Sequence, residues 1–425
     1  MTIGTPRQPL LTAADVDAAG ARLAGVSAAT PLQACERLSR ATGWRVYLKR
    51  EDLQPVRSYK LRGAFNLMAQ LTSAERAVGV VCASAGNHAQ GVAFASRRLG
   101  VRARVYLPRP TPRQKRDRIA VHGGDLVQLI LSGDTYDDAA AAAAADARSS
   151  GAVLVPPFDD VRTMAGQGTV AAEVLAELPE PPDAVVVPVG GGGLMAGTAA
   201  FLRERAPSIQ VVGAEPAGAA SMTAALAAGC PVTLDSIDSF VDGAAVRRVG
   251  QRTLEVIAGG PHAMLTVDEG AVCTEMLALY HSEGIIAEPA GALAAAALHL
   301  ADQPPRLRPG AVVVALVTGG NNDVSRYGEI IERSLVHSGL KHYFLVEFAQ
   351  QPGALRRFLD EVLGPDDDIT LFEYVKRNNR ETGPALVGIE LGSAGGLEPL
   401  LSRMKASPMR IEQVTPGSPA YTYLT

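Results

Sequence analysis

The sequence predicts an α/β protein with open parallel sheets, followed by a small α+β domain of the ferredoxin-like type. From about Gly79 onward, short β-branched runs alternate with alanine-rich helical stretches, a pattern typical of a parallel sheet covered by helices. After about Arg333 the pattern changes to β-α-β-β-α-β, which is a complete ferredoxin-like unit. We therefore expect a larger domain over residues 1–335 and a smaller one over residues 336–425.

The larger domain contains seven β-branched runs that we assign to strands. They are residues 80–83, 101–107, 126–131, 152–155, 184–189, 211–214 and 311–317. Residues 87–99 read as a helix that ends at Gly100, and residues 136–148 read as an alanine-rich helix without chemical function.

The smaller domain alternates strands and helices in ferredoxin-like order. The predicted strands are residues 342–349, 369–377, 385–391 and 409–414, and the predicted helices are residues 353–363 and 397–405. Asn378-Asn379 marks the turn between its second and third strands.

Charge and cysteine content exclude several classes of protein. The 425 residues carry 40 Lys+Arg against 44 Asp+Glu, a net charge of −4, which excludes a generally basic nucleic-acid binder. The four cysteines are far apart and form no Cys-x-x-Cys pair, so we expect neither disulfides nor a thiolate zinc site, and we expect a cytoplasmic location. The uncharged stretch 184–202 contains Pro188 and the glycine run 190–193, so we expect no membrane span.

A lysine stands at the predicted start of a helix in the segment Ser58-Tyr59-Lys60-Leu61-Arg62-Gly63-Ala64. A cation is mildly unfavourable at the positive end of a helix, so something should compensate for the charge of Lys60. Taken alone, most lysines are solvated surface groups.

Two further segments join a strand to a helix through small residues. In residues 84–91, backbone N–H groups converge where a carboxylate can be held, although Asn87 also reads as a simple helix N-cap and His88 as a packed histidine. In residues 185–197, the glycine run after a strand indicates a phosphate site. A loose dinucleotide fingerprint, with Glu215 as the ribose-binding acid, is the competing interpretation, but its glycine spacing is off by one residue.

Thr318 places a hydroxyl at the carboxyl end of a predicted strand, where open parallel sheets bind ligands. The alternative is a turn initiator. The basic run 113–118 lacks interleaved aromatic residues and reads as a solvated helix face.

Four motifs in this order resemble the biosynthetic threonine dehydratases of the pyridoxal-phosphate-dependent fold type II family. They are residues 58–64, 83–91, 190–193 and 287–292, and the likeness spans nearly the whole chain. The resemblance implies the fold type II architecture of two open parallel-sheet α/β subdomains. Residues 344–355 resemble the opening of an ACT-like regulatory domain, present here in one copy.

The resemblance implies a role for individual residues of these segments and for Thr318. Lys60 carries pyridoxal 5'-phosphate and is the catalytic residue, Asn87 bonds its ring hydroxyl, and Thr318 faces its ring nitrogen. The phosphate is held by Gly190, Gly191, Gly192, Gly193 and Leu194. The carboxylate of the substrate is placed by Ser84, Ala85, Gly86, Asn87 and His88.

The activity implied is deamination of L-threonine to 2-oxobutyrate and ammonia, the entry to isoleucine biosynthesis. Isoleucine is the expected inhibitor, valine a second candidate, and a homotetramer or homodimer the expected assembly. Related serine racemases bind a divalent metal after a Glu-Pro turn, but Glu215-Pro216 is followed here by no second carboxylate, so we expect no tight metal site. The sequence leaves open whether a cation binds weakly near Glu215.

Two other classes of protein remain as alternatives, and two more lie within the resembled family. A nicotinamide-dependent dehydrogenase explains the glycine run but gives no role to residues 58–64. A non-catalytic amino-acid sensor explains only the C-terminal domain. Within the resembled family, serine dehydratase and serine racemase are the near alternatives.

Overall fold

The computed structural model describes residues 10–260, 262–300, 307–376, 380–415, 418 and 421. Their contacts divide the chain into two compact units. The first takes Ala278–Asn322 together with the described part of Met1–Glu269, and the second takes Gly270–Leu277 and the described part of Asp323–Thr425.

The described residues form fourteen strands. In chain order they are β1 Leu32–Ala34, β2 Arg45–Arg50, β3 Val80–Ala83, β4 Ala103–Leu107, β5 Val127–Leu131, β6 Val153–Leu154, β7 Ala184–Pro188, β8 Gln210–Pro216, β9 Ala263–Val267, β10 Val312–Val317, β11 Lys341–Ala349, β12 Asp368–Tyr374, β13 Thr382–Glu390 and β14 Arg410–Val414.

The same residues form sixteen α-helices. They are α1 Ala13–Leu23, α2 Glu36–Thr42, α3 Lys60–Ala69, α4 Ser73–Val78, α5 Asn87–Leu99, α6 Arg113–Gly123, α7 Tyr136–Ser150, α8 Val161–Glu177, α9 Gly193–Arg205, α10 Ser221–Ala228, α11 Gln251–Ala258, α12 Glu269–Glu283, α13 Pro289–Ala297, α14 Tyr327–His337, α15 Ala354–Glu361 and α16 Leu397–Ala406. None of them is both long enough and apolar enough to cross a membrane, as far as the chain is described.

Two open sheets form the first unit. The larger has the strand order β1-β2-β10-β7-β8-β9, and the smaller has the order β5-β4-β3-β6. All neighbouring strands run parallel except the edge pair β1 and β2. The strands β7 and β10 are buried along their whole length, as expected for a sheet covered on both faces.

The second unit contains one four-stranded antiparallel sheet with the order β12-β13-β11-β14. With β11 as the first strand, this is the ferredoxin-like order, and α15 and α16 supply its two helices. Phe344, Val346 and Phe348 alternate along β11 and face a core that Phe358 of α15 completes. The predicted architecture of both parts is therefore confirmed.

Differences from the sequence-based expectation concern strand ends and three missed strands. The predicted strand 101–107 begins only at Ala103, because the N–H of Val101 still bonds the carbonyl of Ser96 in the preceding helix turn. The short strands β1, β2 and β9 were missed, since the first has three residues and β2 carries three cationic side chains. The predicted turn Asn378-Asn379 and the end of its strand at Arg377 lie outside the described residues.

A buried ionic cluster connects α3 with β2, with Glu51 just after β2, and with α8. The Arg62 guanidinium donates two hydrogen bonds of 2.8 Å to Glu51 and two, of 2.6 and 2.9 Å, to Glu173 on α8. Lys49 of β2 pairs with Glu173 at 2.9 Å and also with Glu177. Arg62 and Glu51 are fully buried, and the attraction between them lowers the pKa of the Glu51 carboxyl against the opposing effect of burial. The cluster fixes α3 two residues beyond its first position.

Candidate active site

Three of the predicted site loops lie at the carboxyl ends of strands in the first unit. Ser84 directly follows β3, Thr318 directly follows β10, and Gly190 lies two residues after the end of β7. Ligands bind at this edge in open parallel α/β sheets. The three loops come from two different sheets.

Lys60 is the first residue of α3, as the sequence predicts, and the preceding residues are tied to the loop after β10. The N–H of Tyr59 donates to the carbonyl of Thr318 at 3.2 Å, and Ser58 pairs with Gly319 in an isolated antiparallel bridge. The Nζ atom of Lys60 lies 5.1 Å from the centre of the Tyr59 ring. This cation–π contact is one compensation for a cation at the positive end of a helix.

Arg57 adopts a left-handed backbone conformation just before this segment, with φ of 56°. Such a conformation is uncommon for a residue with a Cβ and is sustained only when the surroundings impose it. Here the carbonyl of Arg57 accepts a 2.9 Å hydrogen bond from the N–H of Gly320. The backbone is therefore held in an uncommon conformation three residues before Lys60.

Helix α5 packs closely against the first turn of α3. A Cβ placed on Gly91 would lie 3.0 Å from the carbonyl carbon and oxygen of Lys60, so a side chain there would press directly on the backbone of the lysine. This close contact brings Asn87 and His88, one turn earlier on α5, toward the lysine end of α3.

Asn87 is not the helix N-cap, because Gly86 occupies that position and Asn87 is the first helical residue. Its side chain instead joins two other loops. The Nδ2 atom donates to Oε1 of Glu288 at 2.6 Å, and Oδ1 accepts from Nδ2 of Asn321 at 2.7 Å. The capping interpretation of Asn87 is therefore wrong. Its side-chain amide instead links Glu288 to Asn321.

His88 is a buried, neutral histidine. Its Nε2 atom lies 2.8 Å from the carbonyl of Val155, and Nδ1 has no hydrogen-bond partner within the described chain. Burial lowers the pKa of His88 to about 4, and the positive charge of Lys60 adds to the decrease. At neutral pH the imidazole carries no charge.

The loop between β3 and α5 offers unpaired N–H groups. Those of Ala85, Asn87 and His88 donate to no group in the described part of the chain, whereas the N–H of Gly86 donates to Oγ of Ser84 at 3.2 Å. N–H groups that converge at a helix N-terminus favour an anion. The loop can therefore hold a carboxylate.

The glycine loop offers a second set of donors at the N-terminus of α9. No hydrogen bond from the N–H groups of Gly190, Gly191 or Gly192 is found among the described residues. Gly192 has φ of +91°, a conformation that favours glycine. A Cβ on Gly191 would lie 2.2 Å from the ring of Phe158, so side chains are excluded where the loop turns. The loop has the geometry of a phosphate cradle.

Thr318 is buried, and its hydroxyl donates to the carbonyl of Ala290 at 3.1 Å. Nearby, the hydroxyl of Ser58 is fully buried and has no hydrogen-bond partner within the described chain. A buried hydroxyl without a partner is unusual and indicates a place where a ligand completes the hydrogen bonding.

Glu215 is fully engaged by its own neighbours. One carboxylate oxygen accepts from the N–H of Met222 at 2.6 Å, and the other accepts from the N–H and hydroxyl of Thr223 at 2.9 and 2.7 Å. Burial raises the pKa of this carboxyl. A carboxylate so occupied is poorly suited to a ribose diol, which weighs against the dinucleotide interpretation. No group of three or more His, Cys, Asp or Glu side chains suited to a metal is found among the described residues.

Glu288 and Asn321 belong to the site although the sequence analysis gives them no role. Glu288 begins α13 and Asn321 lies in the loop after β10, so neither is close to Asn87 in the sequence. The only sequence signal is their position beside recognised motifs, because a contact across about 200 residues depends on the tertiary fold.

The residues present fit pyridoxal 5'-phosphate. The unpaired donors of the glycine loop suit its phosphate, the amine of Lys60 suits its aldehyde, and the buried hydroxyls suit its polar ring atoms. The structural basis for this fit is a glycine loop that excludes a side chain at Gly191 and carries unpaired N–H groups.

Two family models match the chain. Residues 24–319 match the model of pyridoxal-phosphate-dependent enzymes, and residues 332–424 match the C-terminal regulatory domain of threonine dehydratase. The two matches fall on the two kinds of fold described above.

Curated relatives are similar over nearly their whole length. The chain is 65% identical over 416 residues to the biosynthetic L-threonine dehydratase IlvA of Mycobacterium tuberculosis, which covers 97% of this chain and 96% of that protein. It is 58% identical over 422 residues to the corresponding protein of Corynebacterium glutamicum, covering 98% and 96%.

Solved structures are similar over more than three quarters of this chain. The processed form of threonine deaminase isoform 2 from Solanum lycopersicum superposes with a TM-score of 0.71 at 35% identity, covering 79% of this chain and 94% of that one. Maize serine racemase gives a TM-score of 0.71 at 30% identity, covering 77% and 98%.

Proposed function

The chain belongs to the pyridoxal-phosphate-dependent enzymes and, within them, to the biosynthetic threonine dehydratases, and from that premise we propose a role for each site residue. The protein is a threonine ammonia-lyase. It deaminates L-threonine to 2-oxobutyrate and ammonia with pyridoxal 5'-phosphate as cofactor, which opens isoleucine biosynthesis.

Lys60 is the catalytic residue of the proposal. The bound cofactor supplies an electron sink for the charge that develops on Cα of the substrate. Lys60 holds the cofactor between turnovers, and its Nζ atom then takes the proton from Cα. The Tyr59 ring and the fixed first turn of α3 keep this amine in place, and orientation of this kind supplies a large part of catalysis.

The cofactor is oriented by groups at its edges. The N–H groups of Gly190, Gly191, Gly192, Gly193 and Leu194 bind its phosphate. The amide of Asn87 donates to its ring oxygen, and the hydroxyl of Thr318 faces its ring nitrogen. Because a hydroxyl carries no charge, it stabilises a protonated ring nitrogen less than a carboxylate does, which favours elimination over transamination.

The loop of Ser84, Ala85, Gly86, Asn87 and His88 binds the substrate carboxylate. Support comes from the unpaired N–H groups of Ala85, Asn87 and His88. With the carboxylate held there, the Cα–H bond can be directed at Lys60. Because His88 is neutral, it adds no positive charge and does not compete with Lys60 for the proton.

One observation carries the assignment: the Lys60 segment, Asn87 and the Thr318 loop are joined by direct hydrogen bonds although they are far apart in sequence. The test is Lys60→Ala beside Lys405→Ala, an exposed lysine of α16. We expect Lys60→Ala to lose the visible absorbance of lysine-bound cofactor and threonine turnover, while Lys405→Ala retains both. Retention of the absorbance in Lys60→Ala would contradict the assignment.

Serine dehydratase and serine racemase remain the alternatives at the level of substrate. Turnover of L-threonine and L-serine under the same conditions separates them, because threonine gives 2-oxobutyrate whereas serine gives pyruvate. We expect the larger kcat/KM for threonine. A racemised amino acid as the main product would instead support the racemase.

We also propose that the C-terminal domain, with its boundary near residue 335, is an ACT-like regulatory domain that binds isoleucine, with valine as a weaker effector. Support comes from the family match and from a cavity of about 340 Å³ in the second unit. The cavity is lined by Gly328, Glu329, Glu332, Lys341, Tyr343, Thr370 and Leu371. Its lining carries charges of both signs: the carboxylates of Glu329 and Glu332 and the ammonium of Lys341, which pairs with Glu332. We propose that an amino-acid effector exchanges its own two charges for this pair.

Filling the cavity tests this site. We expect Leu371→Trp to weaken inhibition by isoleucine at least tenfold and to leave turnover without isoleucine unchanged. Leu345→Trp is the matched control, because Leu345 is exposed on β11 and does not line the cavity. Equal inhibition of both variants and the parent protein would place the effector site elsewhere. Absence of any inhibition by isoleucine in the parent would contradict the regulatory proposal itself.

Assembly and location complete the proposal. One regulatory domain per chain fits a homo-oligomer, tetramer or dimer, in which domains of different subunits interact, and light scattering of the purified protein measures its mass. A cytoplasmic location agrees with four cysteines that form no disulfide bond within the described part of the chain.

A further inference from the structure

Glu288 is a buried carboxyl group that does not serve the helix it begins. It is the N-cap residue of α13, but its side chain makes no capping hydrogen bond and Pro289 removes the next N–H. Its backbone is fixed by a 3.1 Å hydrogen bond from its N–H to the carbonyl of Gly319. The carboxyl group is therefore free to serve another part of the molecule.

That part is the amide of Asn87. Nδ2 of Asn87 donates to Oε1 of Glu288 at 2.6 Å, and the backbone N–H of Asn321 also donates to the Glu288 carboxyl. A Cβ on Gly319 would lie 2.2 Å from this Oε1 atom, so the pair fits only because residue 319 is glycine. The geometry holds the carboxyl group against the amide.

The hydrogen bonds determine which way the Asn87 amide faces. Asn321 uses both hydrogens of Nδ2, one toward the carbonyl of Val56 at 2.8 Å and one toward Oδ1 of Asn87 at 2.7 Å. The oxygen of Asn87 is therefore turned to Asn321 and its nitrogen to Glu288. An amide nitrogen carries two hydrogens, and Glu288 accepts one of them. The other is left as a donor for a ligand oxygen.

We infer that Glu288 is a positioning residue, which together with Asn321 orients the Asn87 amide so that one N–H points at the ring oxygen of the cofactor. The inference rests on the proposed function, since it presupposes that Asn87 meets that oxygen. It adds a second property: the proton of Glu288 controls how well a negatively charged ring oxygen is tolerated beside it.

The surroundings of Glu288 favour the protonated form of its carboxyl group. Burial raises the pKa of Glu288 to about 7, the carboxylate of Asp242 adds to the increase, and the hydrogen bonds from Asn87 and Asn321 and the charge of Lys115 oppose it. Asp242 and Lys115 pair with one another at 2.9 Å, which reduces the effect of each. Below this pKa the group is neutral and compatible with an anionic neighbour, and above it the two negative charges repel.

The experiment compares two variants of the cofactor-loaded enzyme. Glu288→Gln keeps an oxygen that accepts from Asn87 but cannot titrate, and Glu288→Leu removes the acceptor. For the parent we expect a visible spectrum that changes with pH near neutrality and cofactor binding that weakens above it. For Glu288→Gln we expect binding within about threefold of the parent at low pH and no spectral change near neutrality. For Glu288→Leu we expect at least tenfold weaker cofactor binding.

Glu215→Gln is the matched control, because Glu215 is also buried and its hydrogen bonds among the described residues go to Met222 and Thr223. It should keep the spectral pH dependence of the parent. If Glu288→Leu does not fold, as judged by circular dichroism, the pH profile of Glu288→Gln decides the question.

Two outcomes would overturn the inference: a parent-like spectral transition in Glu288→Gln, or a folded Glu288→Leu protein that binds cofactor as tightly as the parent. The proposed site fails separately, if Lys60→Ala keeps the absorbance of lysine-bound cofactor or if Asn87→Ala leaves both spectrum and affinity unchanged. Failure of the Glu288 variants alone leaves the site standing.

Discussion

At the scale of single residues, the site depends on what Lys60 and Asn87 can touch. Lys60 lies at a helix start with its amine near the Tyr59 ring, and its backbone is in close contact with Gly91. Asn87 is held between Glu288 and Asn321. Each of these contacts fixes, through a neighbour, an atom to which we assign a reacting or binding role, so we expect small changes in the neighbours to be measurable in activity.

Gly91→Ala should disturb Lys60 without altering any polar group. The added Cβ would lie 3.0 Å from the backbone of Lys60, so α3 or α5 must shift by a few tenths of an ångström. We expect a loss of roughly tenfold in kcat and about 1–3 kcal/mol of stability, measured by steady-state assay and urea unfolding.

The control is Gly20→Ala in α1, where no atom lies within 4 Å of the added Cβ. It should leave kcat unchanged and raise stability by about 0.5–1 kcal/mol, since alanine favours a helix interior over glycine. Equal kcat for Gly91→Ala and Gly20→Ala would contradict the role of this contact.

His88 should make stability depend on pH. Because its pKa falls from 6.5 in the unfolded chain to about 4 in the folded protein, the unfolded state binds a proton first as the pH decreases. The neutral His88 imidazole therefore contributes to the free energy of unfolding above pH 6.5. This contribution, about 3 kcal/mol in total, is lost as the pH decreases from about 6.5 to about 4. Urea unfolding across this range should show a smaller decrease for His88→Gln than for the parent. An identical decrease in both proteins would exclude His88 as the source.

At the scale of elements, helix α3 is the part that most needs support, because it begins with an unfavourable cation. The buried ionic cluster of Arg62, Glu51, Glu173, Lys49 and Glu177 provides that support one half-turn later. Helix α8 also approaches very closely: a Cβ on Gly166 would lie 2.4 Å from the carbonyl of Arg62. The start of α3 is thereby fixed by charge on one side and by close packing on the other.

Arg62→Met should destabilise the protein strongly, because it leaves Glu51 buried without its cation. We expect a loss of about 3–5 kcal/mol in the free energy of unfolding. The double variant Arg62→Met/Glu51→Gln should recover part of that loss, since it removes the uncompensated charge. A double variant no more stable than Arg62→Met would show that the charge of Glu51 is not the cause.

Most of the strands and the motif loops could be predicted from the sequence, and the reasons are local. The helix 87–99 was placed at its true ends because small residues precede it and Gly100 follows it, and the glycine loop was found because its composition is unusual. Strand β2 was missed because buried Lys49 reads as a polar residue until its partners on α8 are known. Glu288 and Asn321 were missed for the same reason, since only the fold brings them to Asn87.

At the scale of the whole molecule, the two units have separate hydrophobic cores and separate proposed ligand sites. One core of the first unit includes Val185, Val187 and Leu194, beside the glycine loop, whereas the core of the second includes Phe344 and Phe358. The proposed cofactor site lies in the first unit and the cavity proposed for the effector in the second.

Calorimetry should therefore show ligand effects that differ between the units. Cofactor at one hundred times its dissociation constant stabilises the unit that binds it by about 2.7 kcal/mol. We expect cofactor to raise the unfolding temperature of the first unit and isoleucine to raise that of the second. The variant Leu371→Trp identifies the second transition, because it should lose the shift caused by isoleucine and keep the shift caused by cofactor. A shift by isoleucine that persists in Leu371→Trp would contradict the assignment of the cavity.

The contact between Asn87 and Asn321 has a consequence for the order of events during protein synthesis. The two residues are separated by 234 positions, and β10, which ends just before this loop, pairs with β2 near the beginning of the chain. At about 5–20 residues per second, a ribosome needs roughly 10–50 seconds to pass from one asparagine to the other. With Asn87 assigned to the cofactor ring as proposed, a nascent chain that displays Lys60 and the glycine loop outside the ribosome still lacks Asn321, which orients the Asn87 amide. We therefore expect cofactor loading to follow the release of residues near 321 rather than the emergence of the lysine.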